Sequence, residues 1–257
     1  MQLIDTHCHL DFSSFDKDRQ QVVEMAINTS IKQIIVPSVS KKNWQNVKDL
    51  TQCYSIIKPA YGLHPMFMKE HKIRDISELR EWLKKNPCVA VGECGLDFYI
   101  KPHDKYQQVE LFVQQLKLAQ DFSLPVIIHA RKSIDIILKY IKRYPGISGV
   151  IHSFSGSMQQ AQRCIQQGFK LGFGGPVTYT RASKLRKLVA ELPLECLVLE
   201  TDAPDQPDSR HQGQRNVPAN LVDIAQVIAD IKHMDIVELA RASTANAREL
   251  FNLTCLH

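Results

Sequence analysis

The sequence predicts an α/β protein folded as one (β/α)8 TIM barrel, a single hydrolase domain over residues 1–257, on three observations. Short apolar runs alternate with amphipathic helical stretches from end to end. Eight such pairs fit into 257 residues, about the length the architecture needs. No Gly/Ser linker, low-complexity tract or shift in composition marks a boundary between domains. The rival arrangement is an open doubly wound sheet, but the glycine-rich dinucleotide fingerprint that such sheets often carry is absent from the first turn.

In chain order, the strand candidates are residues 3–6, 33–37, 57–62, 89–92, 126–128, 149–151, 169–173 and 197–201. Most are continuous apolar runs, the pattern of strands buried on both faces of a parallel sheet. Helix-like segments lie between them, for instance 17–30, 77–85, 106–122 and 133–144; the C-terminal third adds 219–231 and 236–251. In YQQVELFVQQLKLAQ, the residues Val109, Phe112, Val113, Leu116 and Ala119 form one stripe, with Gln and Lys opposite.

Composition narrows the class. The 44% hydrophobic and 23% charged content is that of a soluble globular protein. No apolar run approaches a membrane span, and with a histidine pair beginning at residue 7 no cleavable leader is expected. The expected location is the cytoplasm, and the expected state a monomer or weak oligomer. A net charge of +5 suits an anionic substrate but falls short of the footprint of a dedicated nucleic-acid binder. The seven cysteines, at 8, 53, 88, 94, 164, 196 and 255, include no C-x-x-C and read as reduced, mostly buried thiols.

The chemistry lies at the strand ends. His7 and His9 end the first strand, His64 the third, Glu93 the fourth, His129 the fifth, His152 the sixth and Asp202 the eighth. The C-terminal edge of a barrel is where its active site is built, and histidines placed only for packing would not sort themselves there. Strand alternation points His7 and His9 one way and Cys8 the other. The same alternation groups Asp5 with the histidines and Glu200 with Asp202, so both are expected to stand behind the ligands and fix their tautomers and orientation. Cys8 and Cys94 face away and pack. Four histidines (His7, His9, His129, His152) with two carboxylates (Glu93, Asp202) are too many ligands for one catalytic ion and suit two divalent ions, zinc, manganese or magnesium. Two further features carry open readings. Gly172-Phe173-Gly174-Gly175 either offers backbone N–H groups to a phosphate or is a tight turn. The loop 205–215 either carries Arg210, His211 and Arg215 towards a polyanion or is simply solvated.

The ordered motifs Ile4-Asp5-Thr6-His7-Cys8-His9-Leu10-Asp11-Phe12, Gly62-Leu63-His64-Pro65, Gly92-Glu93-Cys94-Gly95-Leu96-Asp97, Pro125-Val126-Ile127-Ile128-His129-Ala130-Arg131, His152-Ser153-Phe154-Ser155-Gly156 and Glu200-Thr201-Asp202-Ala203-Pro204 resemble the TatD family of metal-dependent deoxyribonucleases, and within it the YjjV-like branch of bacterial hydrolases. The resemblance runs over nearly the whole chain. It implies a TIM barrel, a two-metal centre and hydrolysis of phosphodiesters, commonly as a 3′–5′ exonuclease on single-stranded DNA. Carried over, His7, His9 and Asp202 hold one ion, His129 and His152 the other, and Glu93 bridges them; His64 and Arg131 sit close to the substrate phosphate. In one place the chain departs from the pattern: the family's usual Arg-Asn-Glu-Pro reads Arg215-Asn216-Val217-Pro218.

The expected mechanism is in-line attack on phosphorus by a hydroxide between the ions, with Asp202 taking the water's proton. The substrate is then DNA or another phosphodiester. A C–N hydrolase of the amidohydrolase type shares the H-x-H layout, but many such enzymes carry a carboxylated lysine where this chain has Glu93. A non-catalytic nucleic-acid-binding barrel should lack at least one ligand, and none is missing.

Overall fold

A computed structural model describes residues 1–72, 74–99 and 104–254. Eight parallel strands lie side by side in chain order: β1 (Leu3–Asp5), β2 (Ile31–Pro37), β3 (Ile57–Tyr61), β4 (Ala90–Asp97), β5 (Val126–Arg131), β6 (Gly149–Ile151), β7 (Phe169–Phe173) and β8 (Leu197–Leu199). Around them run the helices α1 (Arg19–Asn28), α2 (Trp44–Cys53), α3 (Asp75–Lys85), α4 (Lys105–Asp121), α5 (Ile134–Ile141), α6 (Met158–Gln166), α7 (Ser183–Glu191), α8 (Leu221–Ile231) and α9 (Ile236–Phe251). The sheet curls into a nearly closed TIM barrel. Its seam is held by backbone bonds from Thr6 N–H to Leu199 C=O, Asp202 N–H to His7 C=O and His9 N–H to Ala203 C=O.

The core has two parts, and side-chain parity separates them. Leu3, Val126, Ile128, Ile151, Leu197 and Leu199 face the surrounding helices. Ile4, Ile35, Ala60, Ala90, Ile127, Val150 and Val198 face inward and fill the barrel's floor, which Ala247, Leu250 and Phe251 of α9 close from below. Burying both faces of every strand is what the continuous apolar runs require. The helices that periodicity does not single out are α2, α6 and α7. Two of them bury few side chains, only Ala161 and Cys164 on α6 and Leu188 and Val189 on α7, so their apolar stripes are thin.

The alternation is not continuous, and the breaks matter. On β4, Val91 pairs with Val126 but Cys94 with Ile128, so three residues oppose two. This bulge flips parity: Val91 and Cys94 both face outward, and Glu93 turns into the barrel. The strand then continues to Asp97, beyond the apolar run that marks it in the sequence. A similar slip separates Leu3 from Cys8, both in the outer core. Parity therefore cannot be carried from Asp5 to His7, although His7, Cys8 and His9 alternate among themselves as expected.

The six cysteines among the described residues are free thiols, with Cys8, Cys94, Cys164 and Cys196 buried. Burial pushes the thiols of Cys8 and Cys94 well above the ordinary range. Cys255 lies outside the described residues. Among those residues no helix is long and apolar enough to cross a membrane.

Candidate metal centre

The C-terminal mouth opens into a pocket of about 430 Å³ lined by His9, His64, Glu93, His129, His152 and Asp202 among others. Glu93 stands at its centre, almost wholly buried at 1% exposure. Its two oxygens face different partners. Oε2 lies 3.1 Å from His7 Nε2 and 3.4 Å from His9 Nε2. Oε1 lies 3.0 Å from His64 Nε2, 3.2 Å from His129 Nδ1 and 3.5 Å from His152 Nε2. Asp202 completes the first group, with Oδ1 3.5 Å from His7 Nε2 and 3.7 Å from His9 Nε2. The bulge on β4 is what places a carboxylate between the two sets of imidazoles.

The donor set fits divalent cations. Two ligands held about 2.1 Å from one ion stand about 3.0–3.4 Å apart, close to the spacings here. His7 Nε2 and His9 Nε2 are 3.1 Å apart, yet two neutral imidazoles can share only one proton between them. The Nδ1 atoms of both rings are buried without a hydrogen-bond partner. A cation accepting both Nε2 lone pairs relieves the conflict.

The remaining imidazoles are oriented from behind. His152 Nδ1 lies 3.2 Å from Glu200 Oε1, and His129 Nε2 lies 2.9 Å from Asp97 Oδ2. In each ring a proton directed to that carboxylate leaves the other nitrogen's lone pair facing Glu93, as in carboxylate–histidine–metal triads. His64 is arranged differently. Its Nδ1 accepts the Met66 backbone N–H at 3.0 Å, so the ring proton sits on Nε2 and is donated to Glu93 Oε1. Nε2 of His64 thus serves as a hydrogen-bond donor.

The titration behaviour follows this charge layout. Burial pushes His7 well below its ordinary value and His64 down to about 4, while burial lifts the Asp202 carboxyl to about 6 against the pull of His152 and His9. For His9 and His152, burial opposes protonation, but nearby carboxylates outweigh it. The bond and charge of Glu93 raise His9 to about 9, and the charges of Glu200, Asp202 and Glu93 raise His152 to about 10. The pocket calls for positive charge.

Of the residues that the sequence marks, His7, His9, Glu93, His129, His152 and Asp202 converge on this pocket, and His64 joins them. Arg131 is exposed on the rim, its guanidinium 3.9 Å from the Tyr99 ring centre in a cation–π contact. Glu200 stands behind His152 as expected. Asp5 does not stand behind any imidazole: Oδ1 accepts the backbone N–H groups of His7 and Thr201, and Oδ2 the Thr201 hydroxyl at 2.6 Å. It fixes the backbone seam between β1 and β8: ordinary alternation from Leu3 through Ile4 keeps Asp5 on the outer side, and the slip before Cys8 leaves the His7 and His9 rings on the other. Burial raises its carboxyl to about 8.

The loop 205–215 holds its cations within the protein. Arg210 pairs with Asp223, His211 with Asp208 at 2.7 Å, and Arg215 with Asp18 and the Ser14 carbonyl. Val217, where the family pattern has Glu, packs against the outer core. Two residues that sequence reading passes over complete the site. Asp97 orients His129, and Gln206 donates to Asp202 Oδ2 while accepting the Ser153 hydroxyl at 2.9 Å. Asp97 ends the motif that begins at Gly92, and an acid at the end of a strand neighbouring His129 is a signal that could have found it. Nothing in DAPDQPD marks Gln206.

The glycine run at the end of β7 is explained by close approach. A Cβ on Gly172 would lie 2.2 Å from Glu200 Oε2, and one on Gly175 would lie 2.0 Å from the Gln206 carbonyl. Gly172→Ala is therefore expected to displace Glu200 from His152. It should cost about 1–3 kcal/mol of stability, as overpacking typically does, and also lower metal affinity about 10–100-fold, as loss of an orienting partner does. Thermal melts and metal titration check this; a variant that binds and melts like the parent would remove Glu200 from its orienting role.

Comparison with known proteins agrees with this geometry. A family model described as "TatD related DNase" matches residues 4–252. The chain is 40% identical over 255 residues to the uncharacterized metal-dependent hydrolase YjjV of Escherichia coli K12, covering 98% of each. It is 33% identical over 253 residues to the uncharacterized metal-dependent hydrolase YabD of Bacillus subtilis, covering 98% of this chain and 99% of that one. The crystal structure of Escherichia coli YjjV, described as a TatD homolog, superposes with a TM-score of 0.94 at 39% identity, covering 98% of each chain.

Proposed function

Given that the chain belongs to the TatD-related family of metal-dependent hydrolases, we propose that it cleaves phosphodiester bonds, with the end of a single-stranded DNA as its substrate and 3′–5′ as its direction. The observation that supports this best is the placement of Glu93, whose two oxygens each face a separate set of imidazoles, an arrangement suited to a pair of cations sharing one carboxylate. His7, His9 and Asp202 would hold one ion, His129 and His152 the other, with Glu93 between. When bound, such ions supply a nucleophile at neutral pH and neutralise charge developing on phosphoryl oxygens.

The chain's own residues supply the rest. Asp202 lies at the edge of the cluster with Oδ2 held by Gln206, which aims the carboxylate to accept a proton from the attacking water. His64, with its proton on Nε2 and its ring kept neutral by burial, is a donor beside the reacting centre. Arg131, steadied on Tyr99, presents a planar guanidinium to a phosphate entering from solvent. The buried floor below Glu93 keeps water to the mouth side.

The test is a metal-reconstituted assay with end-labelled single-stranded DNA, RNA, bis(4-nitrophenyl) phosphate and a cyclic amide in parallel, with His129→Ala as the control. We expect metal-dependent shortening of the DNA from its 3′ end and loss of that activity in the variant. Amide hydrolysis with no cleavage of any phosphodiester would overturn the reading in favour of amidohydrolase chemistry.

A further inference from the structure

A second groove opens beside the metal pocket. It has a volume of about 760 Å³ and lies between the segment after β6 and helix α7, and Ser155 lines both it and the metal pocket. Its lining carries three exposed cations, Arg181, Lys184 and Lys187, against one acid, Glu191. Lys187 lies 3.9 Å from Glu191, a loose contact. Arg181 rests on the Tyr179 ring, 4.6 Å from its centre, and among the described residues neither it nor Lys184 forms an ion pair. Tyr179 is itself tethered, its hydroxyl donating towards the Pro207 and Asp208 carbonyls at 3.1 and 3.3 Å. The Arg181 guanidinium is thus held beside the groove.

The contrast with the adjoining loop 205–215, which Tyr179 and Thr178 contact, gives the groove its meaning. Arg210 and Arg215 are consumed by Asp223 and Asp18, so that loop offers little uncompensated positive charge. Arg131 on the pocket rim, Arg181 and Lys184, which form no ion pair among the described residues, mark a path that passes Ser155. Apolar Met158 and Leu185 line the same groove and suit the faces of sugars or bases. We infer that this groove holds the sugar–phosphate backbone of the nucleotides adjoining the cleaved one, as a sequence-independent track for a single strand. The inference rests on the reading above for the identity of the polyanion, and it adds a binding surface outside the metal pocket.

The test separates the two claims by measuring binding without turnover. Fluorescence anisotropy of a labelled single-stranded 12-mer is measured on Glu93→Gln protein, with and without Arg181→Ala/Lys184→Ala. A second pair, Lys142→Ala/Arg143→Ala, removes the same charge from exposed positions just past the end of α5, at the opposite face of the barrel. The groove pair is expected to weaken binding about tenfold and to reduce the slope of log affinity against log salt by about 1.4, at about 0.7 per phosphate lost. The remote pair should change neither. Equal weakening by both pairs, no weakening by the groove pair, or displacement of DNA by polyglutamate at equal charge concentration would each overturn the track. Groove-dependent binding together with no cleavage by the unmodified enzyme would uphold the track and overturn the nuclease reading. Cleavage with binding indifferent to the groove pair would do the reverse.

Discussion

Glu93→Gln is expected to leave the barrel folded, to cut metal content from the proposed two ions per chain to one, and to lower turnover on the order of 10³-fold or more. The side chain keeps its shape, so the inward turn of the β4 bulge survives. Its chemistry does not: one oxygen becomes an NH₂ donor, and the carboxylate charge between His7/His9 on one side and His64/His129/His152 on the other is gone. If the NH₂ faces His64, it meets another N–H, since that ring's Nδ1 is already committed to Met66. If it turns the other way, it meets the His7 and His9 lone pairs needed for a cation. Two divalent ions give several kcal/mol of charge stabilisation in a phosphoryl-transfer transition state, and each 1.36 kcal/mol is about tenfold in rate. Elemental analysis and steady-state kinetics on the purified variant decide the matter. Full metal content with undiminished turnover would move the shared-ligand role to another residue.

Removing the ions should change stability as well as rate, with a pH dependence whose sign follows from the imidazoles. A ligand that binds only the folded chain stabilises it by about 2.7–4.1 kcal/mol at 100–1,000 times its Kd. At about 2–4 °C per kcal/mol for a chain of this size class, chelation should lower Tm by roughly 5–15 °C. In the metal-free protein, His9 and His152 have folded pKa values of about 9 and 10, above the unfolded value of 6.5. Their protonation contributes stability that is fully present below about pH 6.5 and lost as pH rises through 9 and 10. Asp5, raised to about 8, acts in the same direction. His7 and His64 are lowered and work oppositely, but only as pH falls below 6.5. The metal-free protein should therefore lose Tm between about pH 6.5 and 10. The loaded protein holds positive charge that does not titrate away. The gap between the two melting curves should widen with pH; a gap that is constant or narrows would mean that the ions do not occupy the imidazole cluster.

Much of this centre is legible in the amino-acid sequence. The strands announce themselves because a parallel barrel buries both of their faces. The ligands announce themselves because charged and imidazole groups interrupt apolar runs at one end only. What stays hidden depends on contacts between distant segments. The pairing of His129 with Asp97 needs the bulge on β4, which no apolar pattern marks. The donor role of His64 depends on a backbone N–H two residues on. Simple alternation misplaces Asp5 because it slips between Leu3 and Cys8. The pairing of Arg210 and Arg215 with Asp223 and Asp18 is invisible in a polar loop that reads as solvated.

The seam of the barrel has a consequence for how the protein comes into being. Backbone bonds join Thr6 to Leu199, His7 to Asp202 and His9 to Ala203, so neighbours in the finished molecule are made nearly two hundred residues apart. Synthesis runs from the N-terminus, and His7 and His9 emerge early, whereas Asp202 arrives only after all eight strands have been laid down. Closing so long a loop is slow, since its entropy is lost before the contact rewards it. A chain ended before Asp202 therefore lacks one side of the cluster, and the His7–His9–Asp202 group is complete only once the first and last strands meet.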